Sequence, residues 1–238
     1  MNSGMLPRLA YRGLNPRYSA LPQCFTQRRI SILDVGCSSR GGFIAHRILK
    51  DCWYEGVDIV AIDEKDPLLA YFDRFHCVDL NKTGLSFVPD TAFDYVVCSH
   101  TMEHLDNGLS LVPDLCAKVR PGGRLYLEWP SVESLRFPLH RIGLNFFDDP
   151  THRATFQLRT VAEIIQDCGF TLEYSGRRRH KLRMLLAPLL ALRRSLRERR
   201  LLLYDLWDWT GFCYVVRAIR DNGAPREAGK RSSEGPDA

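Results

Sequence analysis

Five residues near the ends of predicted strands have types that suit the binding of a polar ligand. Asp34 ends the first apolar run and is followed by Gly36 and the small residue Ser38, whereas Asp58 ends the second run and Asp79 the third. A carboxylate at the end of a second strand can accept two hydrogen bonds from a ribose diol. Small residues after the first strand let the backbone approach a ligand. The spacing therefore predicts a binding site for a nucleoside-containing ligand.

The carboxylate at the end of the second strand has a competitor. A strand over residues 53–59 ends near Asp58, whereas a strand over residues 57–62 would be ended by Asp63. The sequence Gly56-Val57-Asp58 and the 24-residue distance from Asp34 favour Asp58.

Two imidazoles occur in His100-Thr101-Met102-Glu103-His104, which follows the fourth strand directly. This is the HxxEH arrangement of inverted zinc peptidases, in which both histidines face one side of a long helix. The alternative is that the segment opens the next helix, with His104 hydrogen-bonded and Met102 in the core. The preceding strand favours the second interpretation, so we predict no metal.

A second polar segment, residues 145–152, follows the fifth strand, where it could roof the site. Asp149 and His152 could bind a hydroxyl group, and His152 could take its proton because an unperturbed imidazole titrates at about 6.5. The alternative is a turn in which Asp148 or Asp149 is a capping residue and His152 is packed or solvated. Glu128, at the end of the fifth strand, is a third polar candidate for the same crevice.

The elements that would position these residues alternate along the chain. Apolar runs predict strands, and 3.6-residue periodicity predicts helices between them. The strands are expected at residues 30–35, 53–59, 75–78, 93–98, 124–129, 170–174 and 212–219, and the helices at residues 41–52, 109–119 and 160–168. This alternation predicts an α/β fold, a doubly wound and mostly parallel seven-stranded sheet with helices on both faces. Ligands of such sheets bind where the strand order reverses.

Composition indicates one globular domain with extensions. Of the 238 residues, 45% are hydrophobic and 26% charged, and the eight cysteines form no CxxC pair. These features, with no signal peptide or membrane span, predict a cytoplasmic protein without disulfides or structural zinc. We expect an N-terminal arm at 1–28, the main domain at 29–220 with a helical insertion at 176–210, and a disordered tail at 221–238.

The insertion contains a strongly basic block. Residues 177–200 carry ten Lys or Arg and one Glu, although the whole chain has a net charge of only +5. Five leucines approximate one helical face: Leu182, Leu185, Leu186, Leu189 and Leu196. Pro188 should kink this helix or begin a second one. A basic amphipathic helix is typical of peripheral contact with a membrane surface, here through residues 177–205. The alternative is that the leucines pack on the domain or on a second copy. Nucleic acid is disfavoured because no aromatic residues are interleaved with the arginines.

Five stretches occur in an order that resembles the class I S-adenosylmethionine-dependent methyltransferase superfamily: ILDVGCSS, YEGVDI, HCVDL, FDYVVCSHTMEHL and VRPGGRLYLEWPS. Within it, the chain is most similar to bacterial type 11 and type 23 methyltransferase domains, over about residues 29–175. It departs from the pattern at Ser38, where the family usually has glycine.

The resemblance implies S-adenosylmethionine as the cofactor. Its methionine end would lie near Asp34 and Gly36, its ribose at Asp58 and its adenine at Asp79. The full set of cofactor-binding residues that it implies is Asp34, Gly36, Ser38, Asp58, Ile59, Asp79, Leu80, Ser99 and His100.

The resemblance also bears on the methyl acceptor. A DDPTH segment is similar to one found in methyltransferases of polysaccharide and cell-envelope biosynthesis. It implies a small-molecule or glycan acceptor, a hydroxyl of an envelope sugar or of a lipid-linked precursor, with His152, His104 and Asp149 as catalytic residues. The alternative, motivated by Ser38 and Arg40 in the glycine loop, is an inactive methyltransferase fold that serves as a binding or assembly partner.

Overall fold

The computed structural model describes residues 12–19, 21–22, 25, 28–49, 51–138, 143–199 and 203–222. Most of the expected N-terminal arm, and all but residues 221 and 222 of the expected tail, lie outside the described residues.

Seven strands form one sheet, and each lies within a few residues of its predicted position. They are β1 (Ile30–Val35), β2 (Cys52–Asp58), β3 (Arg74–Cys77), β4 (Phe93–Ser99), β5 (Val119–Pro130), β6 (Phe170–Arg177) and β7 (Cys213–Arg220). The strand order is β3-β2-β1-β4-β5-β7-β6. Strands β1 to β5 pair in parallel, whereas β7 runs antiparallel between β5 and β6. The predicted doubly wound, mostly parallel sheet is confirmed, and its order reverses between β1 and β4.

Helices connect the strands. Within the described part of the chain they are α1 (Pro16–Ser19), α2 (Gly41–Ile48), α3 (Leu80–Thr83), α4 (Leu111–Lys118), α5 (Leu158–Asp167), α6 (Lys181–Glu198) and α7 (Trp207–Thr210). None of the helices in these described ranges has the length and apolar character needed to cross a bilayer.

The hydrophobic core lies on both faces of the sheet, because successive strand side chains point to opposite sides. Leu33 and Val35 belong to one cluster, which includes Leu115 of α4 and Ile165 of α5. Ile32, which directly precedes Leu33 and points to the other face, belongs to the second cluster with Ala45 and Ile48 of α2. Three residues of the expected N-terminal arm are also buried in this second cluster: Tyr18, Leu21 and Phe25.

Three predicted boundaries were wrong. The first strand is followed by a helix that ends at Ile48 and not near residue 52. Asp79 does not close β3 but is the N-cap of α3, where its Oδ1 accepts a hydrogen bond from the amide of Asn81 (3.1 Å). The predicted turn from Arg120 to Gly123 lies inside β5. It is an irregularity of the strand, where Gly122 takes a φ of +73° and the pairing with β4 shifts register.

Candidate active site

A cavity of about 810 Å³ opens at the carboxyl ends of the strands where their order reverses. We call it the first cavity. Six of the nine residues expected to bind a cofactor line it: Gly36, Asp58, Ile59, Asp79, Leu80 and His100. Its volume lies in the range of sites for small molecules and cofactors. Its wall combines carboxylates with apolar side chains, so it fits a ligand that has cationic groups and a flat base.

The remaining three residues do not line the first cavity. Asp34 is fully buried; its Oδ2 accepts a hydrogen bond from the Tyr54 hydroxyl (2.6 Å) and lies 3.5 Å from the Arg17 guanidinium. Burial raises the pKa of Asp34, and these two neighbours offset only part of that effect. Ser99 is buried in β4, and Ser38 lies next to Asp58 with a φ of +52°.

The backbone holds the Asp58 carboxylate at the cavity wall. Its Oδ2 accepts a hydrogen bond from the amide of Ser38 (2.8 Å), and its Oδ1 accepts one from the amide of Val60 (2.9 Å). Each oxygen keeps a further lone pair for a ligand. Asp63 is exposed and lies beyond the end of β2, and its carboxylate accepts only from the amide of Lys65 among the described residues. The geometry therefore favours Asp58 over Asp63.

Gly36 occupies a position that no other residue fits. Its φ is +76°, and a Cβ atom on it would lie 1.8 Å from Oγ1 of Thr101. That hydroxyl donates a hydrogen bond to the carbonyl of Val35 (3.0 Å), so it is not free to move away.

We expect Gly36→Ala to lower the free energy of unfolding by about 2–4 kcal/mol, through backbone strain and the contact with Thr101. Gly169→Ala is the matched control, because Gly169 has a φ of +83° but open space around its Cα. It should cost about 1 kcal/mol from strain alone. Urea unfolding measures both variants, and equal losses would contradict the role of the close contact.

A second cavity of about 360 Å³ adjoins the first. Residues of the predicted polar segment and of the chain after α6 form its wall, and His100, His104 and Pro150 line both cavities. The predicted roof segment therefore lies over the site. A ligand in the second cavity would lie next to a ligand in the first.

Hydrogen bonding fixes the tautomer of His152 in the second cavity. Its Nδ1 lies 2.6 Å from the carbonyl oxygen of Phe146, which can only accept, so Nδ1 carries the proton. The Nε2 lone pair is then free, 4.0 Å from Oε1 of Glu103 and 3.9 Å from Oδ2 of Asp149. An imidazole with a free nitrogen between two carboxylates can accept a proton and be stabilised once charged.

His104 is oriented in the same way. The Thr151 hydroxyl donates to Oδ1 of Asp149 (2.6 Å) and therefore accepts from Nδ1 of His104 (2.9 Å), which leaves Nε2 unprotonated. Burial by itself raises the pKa of Asp149, but the hydrogen bonds from Thr151 and the nearby imidazole of His152 outweigh it, and the pKa is lowered. Asp149 thus stays ionised beside both imidazoles.

Glu103 joins this pair of imidazoles. It is fully buried, and its Oε2 has no hydrogen-bond partner among the described residues. One oxygen of Glu103 and one nitrogen each of His104 and His152 lie within 4.8 Å of one another, so this donor set could hold a divalent cation as well as a proton.

The zinc-peptidase arrangement of the HxxEH motif is wrong for this chain. Residues Met102–His104 form a short 3₁₀ turn and not a long helix. His100 is directed elsewhere: its Nδ1 contacts Glu103 (3.0 Å) and its Nε2 contacts Glu128 (3.1 Å). Met102 is buried in the core, as the alternative interpretation predicted.

Glu128 does not face the crevice as predicted. It is buried, and its Oε1 accepts from the guanidinium of Arg178 (2.5 Å), which also contacts Asp208 at 3.1 Å. Burial alone raises the pKa of Glu128, but Arg178 and His100 hold it well below the ordinary value. Burial alone lowers the pKa of His100, but Cys213, Glu103 and Glu128 raise it well above the ordinary value.

These two groups give stability opposite pH dependences. The contribution of Glu128 is complete above its unfolded pKa of about 4.5 and is lost as the pH falls through its lowered folded pKa. The contribution of His100 is complete below about 6.5 and is lost as the pH rises through its raised folded pKa.

We therefore expect the free energy of unfolding of Glu128→Gln to fall less steeply than that of the wild type below pH 4.5. Above pH 6.5, that of His100→Gln should fall less steeply than that of the wild type. Urea unfolding of the wild type and both variants between pH 3 and pH 9 measures this. Parallel curves for all three proteins would refute the buried charge network.

Sequence reasoning missed three aromatic residues of the second cavity, Tyr204, Trp207 and Phe212. The rings of Trp207 and Phe212 stack, with their centroids 4.5 Å apart. The aromatic pair Trp207 and Trp209, directly after the basic block, was the signal that could have found them.

Comparisons with known proteins agree with this architecture. A family model described as a methyltransferase domain matches residues 9–175. The chain is 32% identical over 108 residues to a ubiquinone biosynthesis O-methyltransferase of Aliivibrio fischeri strain MJ11, a match that covers 41% of this chain and 42% of that protein. The chain thus matches less than half the length of this curated relative.

Solved structures share the fold. A Haloferax volcanii methyltransferase, solved in complex with the Trm112 methyltransferase activator, has a TM-score of 0.58 and 13% identity, with 90% of this chain and 89% of that chain covered. A SAM dependent methyltransferase from Archaeoglobus fulgidus has a TM-score of 0.52 and 21% identity, with 92% and 95% covered. Because the family model matches well over half of the chain and the sheet has the fold of solved class I enzymes, this chain belongs to the methyltransferase domain family.

Proposed function

We propose that this protein transfers a methyl group from S-adenosylmethionine to a hydroxyl oxygen of a small molecule or glycan. One observation carries the proposal: His104 and His152 both line the second cavity, their Nδ1 atoms are held by hydrogen bonds, and His104 lines the first cavity as well. An O-methyltransferase needs a proton acceptor at that junction.

The first cavity suits the cofactor. When bound there, S-adenosylmethionine would supply a methyl group on a positively charged sulfur. Asp58 would accept hydrogen bonds from the ribose hydroxyls, and Asp58 and Asp79 together favour a cationic ligand by their negative potential. Ile59 and Leu80 offer apolar surface to a base. Gly36 lets the backbone approach the ligand.

His152 is our choice for the general base. Its Nε2 would take the proton from the acceptor hydroxyl as the oxygen forms its bond to the methyl carbon and the bond from that carbon to sulfur breaks. The Glu103 and Asp149 carboxylates would stabilise the imidazolium that results. The shared wall of the two cavities would hold the reacting atoms in line, which supplies much of the acceleration.

The acceptor that we favour is a sugar hydroxyl of an envelope or lipid-linked precursor. The similarity of the DDPTH segment to envelope-sugar methyltransferases supports it, as does the stacked pair Trp207 and Phe212, since aromatic rings pack against apolar ring faces. A phenol is the second candidate, because a relative is a ubiquinone biosynthesis O-methyltransferase.

Transfer of radiolabelled methyl to two panels tests this. One panel contains nucleotide-linked and undecaprenyl-linked hexoses, and the other contains catechols such as caffeate. We expect label in a hexose. Label in catechols alone would refute the sugar acceptor, and binding of S-adenosylhomocysteine without transfer to any hydroxyl would favour the inactive binding partner. The open first cavity, despite Ser38 in its loop, supports the enzyme.

A further inference from the structure

The outward face of α6 carries a continuous row of leucines. Five recur every three or four residues, which places them on one side of a helix with 3.6 residues per turn. Their exposed fractions are 39% for Leu182, 76% for Leu185, 64% for Leu189, 57% for Leu192 and 70% for Leu196. The helix is continuous through Pro188. Four of the five leucines predicted for this face are exposed and do not pack on the domain, whereas Leu186 is half-buried and Leu192 takes its place in the row.

Small residues form the opposite face. Ala187 and Ala191 are buried, with exposed fractions of 0% and 7%, and α6 packs against the short helices at residues 204–210. Two arginines on that side bind carboxylates of the segment that follows α6: Arg194 contacts Asp205 (2.8 Å) and Arg183 contacts Asp208 (3.2 Å). These contacts fix which face of α6 points outward.

Basic side chains border the leucine row. Helical spacing places Arg193 and Arg197 along one edge of the row and Lys181 at the other. All three are exposed. Glu198 is the one acidic residue of α6; it lies on the side of the buried alanines, and its Oε1 is 3.5 Å from Nε of Arg197. The outward face is thus apolar at its centre and positively charged at its rim.

A half-exposed tryptophan binds the backbone of α6. The indole N–H of Trp209 donates to the carbonyl of Met184 in α6 (2.6 Å), and 53% of the residue is exposed. Tryptophan with its polar edge satisfied and its ring exposed is typical of a membrane–water interface.

We propose that the outward face of α6 docks on an anionic lipid bilayer. The leucines would enter the boundary between headgroups and acyl chains, and the basic rim would contact lipid phosphates. Charge complementarity favours lipid over a second copy of this chain, because two such faces would place their basic rims against each other. The docked orientation would also serve the proposed function, since Tyr204 and Trp207, which follow α6, line the second cavity.

Vesicle flotation of the full chain tests the proposal. We expect strong binding to vesicles of equal parts phosphatidylcholine and phosphatidylglycerol, and at least tenfold weaker binding to pure phosphatidylcholine or in 0.5 M salt. Replacing Leu185, Leu189 and Leu196 together by serine should weaken binding about 100-fold. Arg193→Gln with Arg197→Gln should weaken it about 20-fold.

Arg159→Gln is the control for a positive charge lost elsewhere on the surface, because Arg159 is exposed on α5 and should leave binding unchanged. Since the leucines are exposed, circular dichroism should show that the serine variant is folded. Equal flotation of the serine variant would overturn the proposal. A second outcome would also overturn it: the wild type does not float, light scattering gives it the mass of a dimer, and the serine variant has the mass of a monomer. Flotation is read without methyl transfer, so failure of the proposed activity would leave this result intact.

Discussion

Replacing His152 by alanine is expected to lower kcat by about 10²–10⁴-fold, the usual contribution of a general base. The proton on Nδ1 is held by the Phe146 carbonyl, so Nε2 is the atom that can act on an acceptor. Loss of the imidazole removes that atom without touching the wall of the first cavity. The affinity for S-adenosylhomocysteine should therefore stay within about twofold of the wild type.

The assay is label transfer to the best acceptor of the two panels, with cofactor affinity measured by calorimetry. His46→Ala is the matched control, because His46 lies on α2 and lines neither cavity. His104→Ala decides between the two imidazoles, and a larger loss in that variant would assign the base to His104. Unchanged kcat in both would refute imidazole catalysis. Loss of activity in the wild type with a chelator, restored by a divalent cation, would mean that the same donor set holds a metal.

Asp58→Ala should weaken the binding of S-adenosylmethionine and S-adenosylhomocysteine by about 100-fold or more. Two charge-assisted hydrogen bonds to a ribose diol contribute roughly 1.5–3 kcal/mol each, and the variant loses both. It also frees the amides of Ser38 and Val60, which Asp58 holds at the cavity wall. Asp58→Asn keeps one acceptor oxygen and should lose about tenfold.

Asp63→Ala is the control for this series. Asp63 belongs to an exposed turn, and its carboxylate binds only the amide of Lys65 among the described residues, so calorimetry should give an affinity within twofold of the wild type. Thermal unfolding without ligand checks that all three variants are folded. If Asp63→Ala loses affinity and Asp58→Ala does not, the ribose site has been assigned to the wrong carboxylate.

The amino-acid sequence alone was enough to predict the sheet. Buried parallel strands have to be nearly continuous apolar runs, and the chain shows seven of them separated by helices or turns. The position of Asp58 also followed, because a residue at the end of a parallel strand lies at the ligand-binding edge wherever the neighbouring strands come from. The ends of elements, such as those of β3 and α2, were predicted less accurately, since caps and register shifts depend on the contacts of single residues.

The tertiary structure decided which polar residues remain available to a ligand. Asp34 and Glu128 have the same strand-end positions as Asp58, yet both are buried against partners. Tyr54 binds Asp34 and lies 20 residues away, and Arg178 binds Glu128 and lies 50 residues away. No local pattern encodes such pairs, so strand position alone could not separate a ligand-binding carboxylate from a structural one.

The tertiary structure also decided which way the apolar face of α6 points. The leucine periodicity predicted a single apolar face, but periodicity reports only which residues share a side of a helix. The direction of that side depends on what lies beneath the helix. Here Asp205 and Asp208, in the segment that follows α6, hold Arg194 and Arg183, and the small Ala187 is buried on the same side. The leucines point outward because charge pairing and close packing, set by residues elsewhere in the fold, occupy the other face.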